Sequence, residues 1–64
     1  MQELINSTKT DDGIVVVWNE SGQIKDRSFT NQELLEMKID AGDLLARPML
    51  YKIDVELNKF VLKR

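Results

Sequence analysis

The sequence predicts a small α+β domain, an antiparallel sheet of four to five strands with one α-helix between two β-hairpins in the order (β)ββαββ, residues 1–64 forming one unit. Three features predict it. The stretch "IVVVW" (14–18) is β-branched and bounded by turn residues, "FTNQEL" (29–34) carries a helix start signal, and "YKIDVEL" (51–57) alternates apolar with polar.

Taken in order, "QELI" (2–5) offers a short first strand and "NSTKTDDG" (6–13) a polar loop. The run at 14–18 is apolar on both sides of a strand, with Ile14, Val16 and Trp18 on one face and Val15 and Val17 on the other. "NESGQ" supplies turn chemistry, with Gly22 free to take a positive φ, and "IKDRSF" returns as the partner strand. Ile24 and Phe29 fall on opposite faces of that strand, which suits a bulge or a sheet edge, where Lys25 and Arg27 would discourage aggregation.

Thr30 with Glu33 three residues on forms a capping box, and Phe29 before the cap can pack on Leu34 as a hydrophobic staple. The helix that follows ends either at Gly42, as a left-handed terminating residue, or near Arg47, where Pro48 disfavours helical geometry. Read as one helix, Leu34, Met37, Ala41, Leu44 and Leu45 share a core stripe. Leu35 and Ile39 form a second apolar patch on its flank, and Glu33, Glu36, Asp40 and Asp43 gather on the remaining side.

In the last segment Tyr51, Ile53, Val55 and Leu57 alternate with Lys52, Asp54, Glu56 and Asn58, so one face is buried and the other wet. A two-residue turn at Asn58 and Lys59 sets Leu57 opposite Phe60, Val55 opposite Leu62 and Asp54 opposite Lys63.

One helix covers one face of such a sheet. The side of the 14–18 strand that carries Val15 and Val17 then needs the N-terminal segment, a second copy of the chain or a different partner. "QELI" brings only Leu4 and Ile5 to that task, so a second copy is the expected cover.

Composition narrows the chemistry. A chain of 64 residues buries only about 60% of the surface that its unfolded form exposes. There is no cysteine for a disulfide or a thiolate zinc site, and no histidine for general base work or transition-metal binding. Oligomerisation is the reinforcement left. No phosphate-cradling glycine loop, nucleophile elbow or metal-ligand spacing occurs, so an enzyme is not expected and no cofactor is implied. The acidic side of the helix could meet Mg²⁺ or a basic partner, but a solvated face explains it as well. No apolar run is long enough to span a bilayer and no basic, apolar leader opens the chain, which gives a cytoplasmic protein as the expectation.

The net charge of −2 is unevenly spread. Residues 1–46 hold four Lys and Arg against nine Asp and Glu, a net −5, whereas residues 47–64 hold five against two, a net +3. The expected function is therefore a noncatalytic protein-interaction module, homodimeric, acting as an accessory or inhibitory factor by binding another protein. Its candidate interface is Val15, Val17, Trp18, Leu35 and Ile39. The alternative is a nucleic-acid binder that uses the basic hairpin, with Lys52, Lys59, Lys63 and Arg64 as contacts.

Overall fold

A computed structural model of the chain describes residues 1–62. It is a mixed α+β domain, largely sheet. Five antiparallel strands, β1 (Gln2–Lys9), β2 (Gly13–Glu20), β3 (Gln23–Thr30), β4 (Tyr51–Asp54) and β5 (Lys59–Leu62), lie side by side in the order β3-β2-β1-β4-β5. Between β3 and β4 run two short helices, α1 (Asn31–Glu36) and α2 (Ala41–Ala46), and a 3₁₀ turn at Pro48–Leu50.

The 14–18 run sits inside β2, with β1 and β3 as its neighbours. Ser21 and Gly22 both take positive φ, 53° and 84°, which matches the right-handed twist of a two-residue hairpin. The expected loop at 6–13 is shorter than its composition suggests. Asn6 to Lys9 pair with Val17 to Ile14, and only residues 10–12 turn the chain, because β2 needs a full ladder partner for its backbone.

The single helix is corrected to two. The capping box forms as expected, Glu33 N donating to Thr30 Oγ1 at 3.1 Å and Thr30 N donating to Glu33 Oε1 at 2.8 Å. At Lys38 the backbone turns left-handed (φ 60°), and Asp40 starts α2 by accepting from Asp43 N at 3.1 Å. Gly42 therefore lies within α2 and terminates nothing. The break also rotates Ile39, whose N–H donates to Leu34 O at 2.9 Å, so that its side chain packs against the core and leaves Leu35 alone on the flank.

The hairpin register is corrected as well. Asp54 pairs with Lys59, Ile53 with Phe60, Lys52 with Val61 and Tyr51 with Leu62, around a four-residue loop at 55–58. Two side-chain preferences make the longer loop. Asp54 Oδ1 accepts from Leu57 N at 3.1 Å, and Asn58 takes a positive φ of 54°. Leu57 is carried into solvent at 65% exposure, and Val55 leaves the strand. The ladder partner of Asp54 is Lys59; Lys63, which the sequence sets opposite Asp54, and Arg64 lie outside the described residues.

The core gathers Leu4, Ile14, Val16, Trp18 and Phe29 from β1–β3, Leu34 and Leu44 from the two helices, and Tyr51, Ile53 and Phe60 from β4–β5. The sheet curls around this core until its two ends meet. Phe29 of β3 and Phe60 of β5 pack with ring centroids 4.9 Å apart, and the Arg27 guanidinium of β3 donates to Val55 O at 3.3 Å and Asn58 Oδ1 at 2.7 Å in the β4–β5 loop. All helices and both terminal strands thus serve the concave side. Among the described residues no element is layered on the convex side of β1–β3.

Candidate protein interface

On that convex side Val15 lies between Thr8 and Ser28, Val17 between Asn6 and Asp26, and Ile24 opposite Asn19. Ile5 is the extra residue of a bulge between Leu4 and Asn6, and alternation from buried Leu4 turns it to the same side. Val15 and Val17 are half-buried by their strand neighbours alone, while Ile5 is 54% and Ile24 64% exposed. Ile24 sits diagonally across from Val17, within reach of it on the same face. Asp26 stands among these residues, and Glu3, which alternates with buried Leu4 and pairs with Lys52, turns to the same side, so the strip of four aliphatic side chains is flanked by charge.

The other residues of the expected interface are scattered. Trp18 is 2% exposed and faces the core with Ile14 and Val16, its Nε1 donating to Glu20 Oε1 at 3.1 Å. It leaves the candidate surface, because alternation along β2 sends it away from Val15 and Val17. Ile39 packs on the core, and Leu35, at 70% exposure, stands alone on α1. The structure thus brings together Val15 and Val17 and adds Ile5, expected in a short first strand, and Ile24, expected on the face opposite Phe29. The missing signal was the bulge, since it decides which way Ile5 points.

The charged clusters are used by the fold. Of the acidic group, Glu33 and Asp40 cap helices, and Asp43 accepts from Tyr51 Oη at 2.6 Å and from Arg47 Nε at 2.7 Å. Hydrogen bonds from Tyr51 and then Arg47 hold the Asp43 carboxyl below the ordinary carboxylate range, and burial with the bond to Asp43 pushes the Tyr51 hydroxyl up to about 12. Among the described residues no three acids converge on a metal-binding arrangement. Glu20, Asp54 and Glu56 line a shallow depression with Met1, Gln2 and Val55, and Glu20 there is held by Trp18.

On the basic hairpin, Lys52 is half-buried opposite Glu3, and Lys59 is exposed opposite Asp54. Each described lysine of the candidate nucleic-acid surface thus faces an acid across the sheet. Among the described residues no helix is long and apolar enough to cross a membrane. Comparison with protein-family models, with curated proteins and with solved structures gives no match.

Proposed function

We propose that this chain is a small noncatalytic protein-interaction module that pairs with a second copy through the convex face of β1–β3 and, as an accessory or inhibitory factor, binds another protein. The observation that supports this reading is the uncovered strip of Ile5, Val15, Val17 and Ile24. Burying aliphatic surface is the dominant favourable term in association, and this strip offers no competing role within the chain. A two-fold contact sets a surface against itself, as a strip of four aliphatic side chains can.

Light scattering on a sizing column across a dilution series tests the proposal. The expected mass is twice the 7.4 kDa of one chain, falling to one chain for Val17→Glu with its circular dichroism unchanged. A monomer at all concentrations, or a folded Val17→Glu protein that stays dimeric, overturns it.

A further inference from the structure

The open edge of β3 has the hydrogen-bonding pattern, length and charge of a docking site for an extended peptide. Ser21 and Gly22 form a two-residue turn, so its flanking pair, Glu20 and Gln23, is hydrogen-bonded, and every second pair along the hairpin repeats that arrangement. Gln23, Lys25, Arg27 and Phe29 therefore direct their backbone groups to β2, and Ile24, Asp26, Ser28 and Thr30 direct theirs outward. Thr30 confirms the phase, since its N–H turns away from β2 to Glu33 Oε1. The N–H and C=O groups of Ile24, Asp26 and Ser28 have no partner among the described residues.

Among the described residues the curled sheet does not close over this edge with its own strands. Each neighbouring pair in β3-β2-β1-β4-β5 is antiparallel, so β3 and β5 run in the same direction. Across the seam between them the described contacts are made by side chains, Phe29 on Phe60 and Arg27 on the β4–β5 loop, and no backbone bond joins the two strands. A sixth strand running opposite to β3 would continue the antiparallel order.

Charge states what that strand should carry. Lys25 and Arg27 project on one side of β3; among the described residues Lys25 is exposed and has no ion-pair partner, and Arg27 is held by neutral acceptors. In a chain with net charge −2, this edge holds two cations that meet no carboxylate among the described residues. A second copy of β3 fits poorly. Two-fold antiparallel pairing centred on Lys25, Asp26 or Arg27 sets Lys25 against Lys25, Lys25 against Arg27 or Arg27 against Arg27. We infer that β3 accepts an extended, acidic segment of a partner protein as an added antiparallel strand, with carboxylates beside Lys25 and Arg27 and backbone bonds to Ile24, Asp26 and Ser28.

The test titrates the ¹⁵N-labelled protein with the blocked peptide TEVEVET and its basic counterpart TKVKVKT, following amide shifts and hydrogen exchange. The acidic peptide should bind at least tenfold more tightly and should protect the amides of Ile24, Asp26 and Ser28. Asp26→Pro removes an outward N–H without touching the β2 ladder and should weaken binding at least tenfold. Lys25→Glu should reverse the peptide preference, which decides the matter even if the proline variant unfolds. Val17→Glu, on the other surface, should bind the peptide as the parent does, so this site and the proposed dimer face fail or stand separately. Absence of binding, equal affinity for the two peptides, or protection confined to Val15 and Val17 overturns the inference.

Discussion

The hydroxyl of Tyr51 should titrate far from its ordinary range, and the protein is built to show it. Tyr51 is 5% exposed and donates to Asp43 at 2.6 Å, and its removal from water together with the neighbouring carboxylate raises its pKa from 10 to about 12. A group whose folded pKa lies above its unfolded one contributes stability that is complete below the unfolded value and lost as pH rises through the folded one. The window here is therefore pH 10 to 12. At about 1.36 kcal/mol for each unit, the neutral hydroxyl accounts for at most about 2.7 kcal/mol of stability that disappears across that window. The chain contains one tyrosine, so tyrosinate absorbance near 295 nm reports this group alone. The folded protein should show a midpoint near 12 and the urea-unfolded protein one near 10. Lysines lose their charge over the same interval, so the stability change is read as a difference between the parent and Tyr51→Phe, whose unfolding free energy should lack the tyrosine component. A midpoint near 10 in the folded protein would refute the reasoning, since it would mean a solvated hydroxyl with no carboxylate acceptor.

Two further outcomes test the packing. Gly13→Ala places a methyl group 1.8 Å from Phe29 O and 2.7 Å from Thr30 Cα, both backbone atoms, so β2 and β3 must part and urea denaturation should register a loss of about 3 kcal/mol or more; unchanged stability would refute the close approach. Leu44→Ala, at a side chain with no exposure, should cost about 2–5 kcal/mol, whereas Leu35→Ala should stay within about 0.5 kcal/mol in the same measurement. Equal costs at the two positions would contradict the division of the helical segment into a core side and a free flank.

The largest departures from the sequence reading share one origin, competition between a local pattern and a single side chain. The apolar spacing from Leu34 to Leu45 suits one helix, but Asp40 can cap a new helix through Asp43 N, and Lys38 accepts the left-handed turn that this requires. The alternation from Tyr51 to Leu57 suits one strand up to a tight turn, but Asp54 captures Leu57 N and ends it three residues early. Both devices were visible as residue types. Their priority over the periodic signal was not, because the energies involved, about 1 kcal/mol for a cap, are small beside the burial that chooses between whole arrangements.

The sequence by itself determined whatever depends on neighbours a few residues away: the capping box at Thr30 and Glu33, the turn at Gly22, the strand at 14–18 and the opposite facing of Ile24 and Phe29. It also excluded histidine and cysteine chemistry outright. Tertiary structure decided the rest. The polar residues 6–9 became strand because β2 required a hydrogen-bonding partner, a demand that no local composition expresses. The meeting of β3 with the β4–β5 loop through Arg27 and the Phe29–Phe60 contact joins residues about thirty apart in the chain. Which faces remain free followed from that curl. With helices and terminal strands all committed to the concave side, the convex strip of Ile5, Val15, Val17 and Ile24 and the outward edge of β3 are left uncovered among the described residues.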